Sequence, residues 1–415
     1  MTKHRAAFFF LGLSSFVLLA GLLFTFLPSR LATTHASASQ VNWPMYGFNP
    51  RHTNANPFET TISKSNVSQL TVKWRRHNTQ WSSPVVVNNI LYSVASNTLY
   101  ALNATSGKKL WSFNLGNGYG GFTPTVVNNA VYAMGNQQLF ALNATTGKQI
   151  WSVPFDTFNS VSPLVVNNVL YVGSTDQNMY AFNAQTGAVL WKYMISTPGD
   201  TVSFAAPAYN RGVLYVEAAI DNTSYNYMYA LNATTGASLW TVELDDAGGA
   251  VPSSPTVVNG VVYYMSVTTL QNGNCSEARI GALQSSNGQS LWMHNYGYCN
   301  NSALAYSHGV LYFSLADAQD PYTYAYALDA TTGNTKWQYM TNSDHLNRHL
   351  ASTPAIANGI AYMALNNRNF YAFDAQTGSI LWQYATGLFA GPPIVVNGMV
   401  YAPADTLYAF GLPGM

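Results

Sequence analysis

The densest group of chemically versatile side chains in this 415-residue sequence lies in one short polar stretch. It contains Asp344, His345, Arg348 and His349. Two imidazoles and a guanidinium could bind an anion, and imidazoles are also common metal ligands. The histidine spacing matches no metal-binding signature, and no cysteine or repeated carboxylate accompanies it, so we predict no metal site. The four residues are candidates for ligand binding, and a solvated loop is the simpler alternative.

Carboxylates are the second group that could do chemistry, as metal ligands or as a general base. Asp317 and Glu217 are the candidates that we retain, with ordinary loop acids as the alternative. Neither lies in a catalytic motif, so the catalytic residues stay unknown. The sequence has no Ser–His–Asp order, phosphate-binding loop or dinucleotide fingerprint. The other acids in predicted loops are Asp221, Asp245, Asp246 and Asp320.

The two cysteines, Cys275 and Cys299, form the third candidate group. Two cysteines in an exported chain favour a disulfide, which would here staple a long loop. Free thiols are the alternative.

A repeated segment must position all of these residues. The sequence contains seven copies of the segment YALNATSGKKLW, which runs from Tyr100 to Trp111 in the first copy. The copy at Gly281–Trp292 is degenerate. Each copy has a glycine at one fixed offset, which indicates a tight turn with positive φ. The Asn or Asp that opens the turn can accept hydrogen bonds from the backbone that follows it. Each copy therefore predicts a hairpin.

A second hairpin precedes each copy, and six such turns in the sequence are Asn-Asn or Asn-Gly, as at Asn88-Asn89. Four short strands at a period near 40 residues predict a blade of a β-propeller. The strand Leu70–Arg75 carries the first tryptophan of the series, and it would complete a last blade that ends at Met415. We therefore predict an all-β fold, a single eight-bladed propeller closed by its N- and C-terminal strands. The predicted structural tryptophans are Trp74, Trp111, Trp151, Trp191, Trp240, Trp292, Trp337 and Trp382.

The pattern [YF]A[LF][ND]AxTGxxxW resembles the repeat of quinoprotein-type (PQQ-like) β-propellers, and Trp43 to Trp74 resembles the lead-in of that family. The family includes pyrroloquinoline quinone (PQQ) alcohol dehydrogenases and the outer-membrane assembly lipoprotein BamB, both with eight blades. The resemblance implies PQQ, calcium and a carboxylate base for a catalytic member, and no cofactor for a binding member. The adjacent cysteines of many quinoprotein dehydrogenases are absent, and Asn103, Asn143, Asn183 and Asn232 stand where the family often has Asp.

The chain is predicted to have three parts. Residues 1–38 are a signal peptide or an N-terminal membrane anchor, since Lys3 and Arg5 precede an uncharged run over 6–29 and Ala36-Ser37-Ala38 resembles a cleavage site. Residues 39–69 are an extended lead-in that wraps one face of the ring, and residues 70–415 are the propeller. The positive end stays inside the cell, so the propeller is predicted to be extracytoplasmic, secreted or anchored.

Extra residues in blades 4 to 6 predict one elaborated face. They fall between second and third strands, at Glu217–Asn226, Ser266–Arg279 and Ser314–Thr323. Loops on a rigid scaffold are where binding residues usually lie.

The low charge of the sequence argues against one class of partner. Only 8% of residues are charged and the formal net charge is +1, so a nucleic acid is not an expected partner. We expect a non-catalytic binding or scaffold propeller of the cell envelope, whose partner is an envelope protein, a small molecule or a glycan. The alternatives are a PQQ- and calcium-dependent dehydrogenase of alcohols or sugars, and a carbohydrate-binding propeller that uses Tyr296 and Tyr298.

Overall fold

A computed structural model describes residues 40–78, 80–116, 122–156, 161–197, 199–220, 225–244, 252–269, 275–297, 302–316, 321–343, 352–387 and 391–414. Gln40–Met415 form one compact unit. The predicted leader or anchor, residues 1–38, lies outside the described residues. Within the described residues, no helix has the length and apolar character needed to cross a membrane.

The described residues form eight β-sheets, one for each predicted blade. The lead-in contains β1 (Ala55–Asn56) and a 3₁₀ helix (Val67–Gln69), and it ends at β2 (Thr71–His77). Blade 1 contains β3 (Val85–Val87), β4 (Ile90–Ala95), β5 (Thr98–Asn103) and β6 (Lys109–Asn114). Blade 2 contains β7 (Thr125–Val127), β8 (Ala130–Gly135), β9 (Gln138–Asn143) and β10 (Gln149–Pro154). Blade 3 contains β11 (Leu164–Val166), β12 (Val169–Gly173), β13 (Asn178–Asn183) and β14 (Val189–Met194).

Blades 4 to 6 have longer second and third strands than blades 1 to 3, and blades 7 and 8 do not. Blade 4 contains β15 (Val202–Phe204), β16 (Ala208–Asn210), β17 (Val213–Ile220), β18 (Tyr225–Asn232) and β19 (Ser238–Glu243). Blade 5 contains β20 (Thr256–Val258), β21 (Val261–Thr269), β22 (Cys275–Gln284) and β23 (Ser290–Tyr296). Blade 6 contains β24 (Ala305–Ser307), β25 (Val310–Ala316), β26 (Tyr322–Asp329) and β27 (Thr335–Asn342). Blade 7 contains β28 (Ala355–Ala357), β29 (Ile360–Leu365), β30 (Asn369–Asp374) and β31 (Ile380–Ala385), and blade 8 contains β32 (Ile394–Val396), β33 (Met399–Ala402), β34 (Thr406–Gly411) and β2.

The first strand of each blade is the innermost one and the fourth is the outermost. β32 in blade 8 is buried along its length, whereas β6 in blade 1 alternates between exposed and partly buried residues. The turns between first and second strands adjoin the turns between third and fourth strands, since Ala104 N donates to Asn89 O at 2.9 Å. These turns form one face, which we call the turn face. The turns between second and third strands and the connections between blades form the opposite face, the loop face.

The turns have the predicted backbone geometry. Asn88 and Asn89 have φ values of 52° and 60°, as a type I′ turn requires. The fixed glycine is also left-handed, with φ of 68° at Gly107, and Asn103 Oδ1 accepts a hydrogen bond from Ser106 N at 2.9 Å. The sequence patterns therefore specify these turns locally.

Each fixed glycine has a second role, because the tryptophan of the preceding blade packs directly on it. A Cβ added at Gly147 would lie 2.7 Å from Trp111 Cδ2. The same indole donates its Nε1 hydrogen bond to Ala144 O at 2.8 Å, and Tyr92 Oη donates to that carbonyl at 3.1 Å. The turn of one blade therefore receives two side chains of the blade before it. The other tryptophans with this bond are Trp74, Trp151, Trp191, Trp240, Trp292 and Trp337.

The ring closes as predicted, because β2 pairs antiparallel with β34 and becomes the outer strand of blade 8. Trp74 Nε1 and Tyr401 Oη, from blade 8, both donate to Ala104 O in blade 1. The boundary between blades 7 and 8 differs, since the two chain ends meet in blade 8 and no third-to-fourth-strand turn is present there. Trp382 makes no such hydrogen bond within the described residues; it packs on Phe410 with ring centroids 5.0 Å apart.

The lead-in was predicted to wrap one face of the ring, and in the structure it also runs along the inner strands of the blades. Its backbone carbonyls, from Trp43 to Asn54, accept hydrogen bonds from inner-strand N–H groups at 2.7–2.9 Å. β1 pairs with β28 in parallel, and Asn56 Nδ2 donates to Val395 O. The donors are Val86, Val126, Tyr209, Val257, Tyr306 and Ile356, in blades 1, 2, 4, 5, 6 and 7.

The second half of the lead-in covers the boundary between blades 7 and 8 on the turn face. Glu59 is buried, and its carboxylate accepts hydrogen bonds from Thr61 N and from Gly398 N. Lys64 Nζ lies 2.8 Å from Asp374 Oδ2. Burial alone would raise the pKa of Asp374, but the Lys64 hydrogen bond and two backbone N–H donors lower it overall. The lead-in thus occupies the place where the missing turn of blade 8 would lie.

The extra residues of blades 4 to 6 were predicted to form long loops. In the structure most of them extend the second and third strands, and the second strands continue to Ile220, Thr269 and Ala316. Pairing is favoured because it satisfies the backbone N–H and C=O groups. Alternating aromatics such as Tyr225, Tyr227 and Tyr229 suit that extended geometry.

Candidate functional site

Most of the predicted site residues lie outside the described residues. This applies to Asp317 and to the cluster Asp344, His345, Arg348 and His349, and these remain predictions. It also applies to the predicted disulfide, because Cys299 and the side chain of Cys275 lie outside the described part; β22 begins at Cys275.

Glu217 is described, and its side chain lies inside the protein. It lies in β17 opposite Met228, and its exposed fraction is 0%. It shares a strand face with Tyr215, which bonds to Ser285 O, so it points toward blade 5. A ligand at the surface of the loop face would therefore not reach this carboxylate without separating the two blades.

The loop-face mouth of the central channel is formed by the residues just before each inner strand. Several of these residues carry a hydroxyl that bonds to the backbone of a neighbouring blade. Ser83 Oγ donates to Pro392 O at 2.7 Å, joining blades 1 and 8. Ser162 Oγ accepts from Thr123 N at 2.9 Å, joining blades 2 and 3. The corresponding bonds in the later blades are Ala206 N to Ser254 Oγ and Ala303 N to Thr353 Oγ1.

A side chain from the lead-in reaches these residues from within the channel. Tyr46 Oη lies 3.5 Å from Thr353 Oγ1. Burial raises the pKa of Tyr46, while hydrogen bonds to Thr353 and Ser254 lower it to a smaller extent. The phenol therefore stays neutral at physiological pH.

A pocket of about 310 Å³ opens on the turn face between blades 4 and 5. Arg51 of the lead-in and Arg211 of the first turn in blade 4 line it, together with Trp240 and Leu239. Trp240 is held in place by its hydrogen bond to Ser285 O at 3.0 Å. The remaining lining residues are Asn210, Val213, Tyr215, Asn259, Gly260, Ser285 and Ser286.

Arg51 and Arg211 were not among the residues predicted from the sequence, although the repeat departs from its pattern at Arg211. At the first residue of this turn six blades carry asparagine with positive φ, and blade 4 carries Arg211 at φ 49° instead. The degenerate repeat copy, Gly281–Trp292, also contributes Ser285 and Ser286 to the lining. Departures from the repeat therefore marked the pocket, but on the turn face and not on the elaborated loop face.

Comparison with known protein families identifies the family to which this architecture belongs. A family model described as outer membrane protein assembly factor BamB matches residues 95–219 and 196–412, together well over half of the chain. The chain belongs to this BamB-like family of PQQ β-propellers. A second model, described as the β-propeller domain of glucose/ethanol/alcohol dehydrogenase, matches residues 43–120 of the BamB-like chain. The resemblance inferred from the repeat is thereby confirmed.

Solved structures show the same fold for the BamB-like chain. The quinohemoprotein alcohol dehydrogenase ADHIIG from Pseudomonas putida HK5 has a TM-score of 0.70 at 15% identity, covering 90% of this chain and 81% of that chain. A europium-containing methanol dehydrogenase has a TM-score of 0.70 at 16% identity, covering 89% and 98%. BamB from Moraxella catarrhalis has a TM-score of 0.61 at 16% identity, covering 83% and 100%. No curated protein sequence matches the chain. At these identities the likeness establishes the fold alone.

Proposed function

We propose that this BamB-like chain is an extracytoplasmic binding or scaffold propeller that does not catalyse a reaction. The observation that supports this most directly is the hydrogen bonding at the loop-face mouth of the channel. The hydroxyls of Ser83, Ser162 and Thr353 are bonded to the backbone of neighbouring blades and are buried. Groups held in this way connect neighbouring blades, and this structural role supports the proposal.

The extracytoplasmic location rests on the N-terminal sequence. Lys3 and Arg5 precede the uncharged run over 6–29, which is typical of an export signal or an anchor. The expected partner is an envelope protein, a small molecule or a glycan, and the membrane would be reached through the N-terminal segment if that segment is retained.

The second candidate is a PQQ- and calcium-dependent dehydrogenase of alcohols or sugars, which the family match over residues 43–120 favours. Calcium prefers oxygen ligands, especially carboxylates. Within the described residues, the channel-mouth residues just before the inner strands, such as Ser83, Ser162 and Thr353, carry no carboxylate, and Glu217 is buried between blades 4 and 5. The described residues therefore do not fit the two groups, and we derive no catalytic step through them.

One experiment separates the two candidates. The purified chain is incubated with PQQ and Ca²⁺, and both saturable binding and reduction of an electron-accepting dye are measured with a panel of alcohols and sugars. A quinoprotein alcohol dehydrogenase assayed in parallel provides the positive control. We expect no turnover, and saturable PQQ binding with dye reduction would contradict the binding or scaffold proposal.

A further inference from the structure

We propose that the turn-face pocket between blades 4 and 5 binds a small organic anion, through Arg51 and Arg211. The anionic group would be a carboxylate or a phosphate, and the carbon skeleton would pack on Trp240 and Leu239. This inference deepens the proposed binding function by naming a site and a ligand class. It does not depend on the loop face, so it would stand even if the PQQ assay detected turnover.

The first argument is charge. Arg51 and Arg211 have no ion-pair partner and no side-chain hydrogen bond within the described residues, and no acidic residue lines the pocket. A guanidinium presents its N–H donors in a planar fork that matches both carboxylate and phosphate. Two such groups lining one concave pocket favour a negatively charged ligand.

The second argument is the conformational cost of Arg211. Its φ of 49° lies in the left-handed region, where asparagine is tolerated better than longer side chains. The corresponding residue is asparagine in blades 1, 2, 3, 5, 7 and 8. An arginine at this position makes the turn less favourable, and no ion pair or side-chain hydrogen bond of Arg211 within the described residues offsets the strain. Binding of a ligand would explain the arginine.

The third argument is the shape of the pocket. A volume of about 310 Å³ is at the lower end of the range for small-molecule sites. Its apolar wall is fixed, because Trp240 Nε1 and Tyr215 Oη both donate to Ser285 O. Asn210, Asn259 and Ser286 also line the pocket and carry polar groups. A fixed apolar wall and two cationic residues in the same lining suit a small molecule with one charged end.

The test measures binding of phenyl phosphate and benzoate to the full chain by calorimetry, with benzyl alcohol as an uncharged compound of similar shape. The key variant is Arg211→Asn, which installs the residue found in six other turns and so preserves folding. Arg51→Gln removes the other guanidinium without affecting the Arg51 carbonyl, which accepts from Val257 N. Two controls are His308→Asn, at the same turn position in blade 6, and Arg75→Gln, an equal charge change on the exposed side of β2.

We expect at least one anion to bind the wild-type chain with a Kd of about 1 mM or tighter. Arg211→Asn and Arg51→Gln should each weaken that binding by about tenfold or more, since each removes a charge-assisted hydrogen bond. His308→Asn and Arg75→Gln should leave it unchanged. Absence of binding by both anions, equal binding of benzyl alcohol, or wild-type affinity in either pocket variant would overturn the proposal. A preference for phenyl phosphate or for benzoate would identify the anionic group.

Discussion

The second strand of each blade carries a tyrosine at one repeat position, and the hydrogen bond of its hydroxyl depends on a turn of the next blade. Tyr132 Oη donates to Ala184 O at 3.0 Å, and burial raises the pKa of Tyr132. Tyr362 occupies the same repeat position in blade 7, but its buried hydroxyl has no hydrogen-bond partner among the described residues. Burial raises the pKa of Tyr362 strongly, and the nearby Glu59 charge adds to the effect. The two phenols are chemically identical, and only that of Tyr132 bonds to a turn of the next blade.

This difference predicts opposite results for one substitution. Tyr132→Phe removes a buried hydrogen bond and should lower the free energy of unfolding by about 1 kcal/mol. Tyr362→Phe removes an unsatisfied hydroxyl and should leave that free energy unchanged or raise it by up to about 1 kcal/mol. Urea unfolding followed by tryptophan fluorescence measures both. Equal destabilisation by the two substitutions would show that the Tyr362 hydroxyl does have a partner.

At the scale of the element, the turn between third and fourth strands is both a local structure and an inter-blade contact. Gly147 needs its positive φ of 69° for the turn, and it must also lack a Cβ because Trp111 lies against it. Gly309, in a first turn, has φ of 78° and nothing within 4 Å of an added Cβ. A pair of alanine substitutions therefore separates backbone strain from the steric contact.

Gly309→Ala should cost about 1 kcal/mol, because only the left-handed conformation is penalised. Gly147→Ala should cost a further 1–3 kcal/mol or so, because the methyl group would displace the Trp111 indole. Thermal and urea unfolding of the two variants against the wild-type chain provide the comparison. Similar midpoints for both variants would mean that Trp111 moves aside at no cost.

At the scale of the whole molecule, the lead-in links blades that are far apart in the ring. Its carbonyls accept hydrogen bonds from inner strands on both sides of the channel, and Glu59 and Lys64 cover the boundary where the ends of the chain meet. A ring of repeats depends on nearest-neighbour contacts, so its closing boundary is the place where it would open. The lead-in therefore acts as an internal brace as well as a connection to the N-terminal segment.

Removal of the lead-in tests this role. A chain that begins at Leu70 keeps β2 but loses the inner acceptors, and we expect a clearly lower thermal midpoint. Backbone amides of Val126, Tyr209, Val257 and Ile356 should exchange with solvent faster, because each loses a hydrogen bond worth about 1 kcal/mol net. Differential scanning calorimetry measures the midpoint, hydrogen exchange with mass spectrometry measures the amide exchange, and a chain that begins at Gln40 is the control. Unchanged protection at these amides would contradict the bracing role.

The sequence alone was enough to predict the blades, their number, the type I′ turns and the closing strand. These features depend on short-range rules, since Asn88-Asn89 or Gly107 specifies a turn through its own φ preference wherever the segment lies. The repeat then sets the blade count, because identical segments make identical hairpins. The role of the tryptophans as contacts between blades could also be predicted from their regular spacing.

Other features depended on the tertiary structure. The extra residues of blades 4 to 6 extend strands because a partner strand was available to pair with them, which a local pattern does not report. Glu217 was a surface candidate by sequence, but the packing of blade 4 on blade 5 buries it. Trp382 follows the repeat in sequence yet makes no such hydrogen bond within the described residues, because blade 8 is assembled from β32, β33, β34 and the distant β2. The pocket of Arg51 and Arg211 joins residues 160 positions apart, so only the closed ring brings the two guanidiniums to one site.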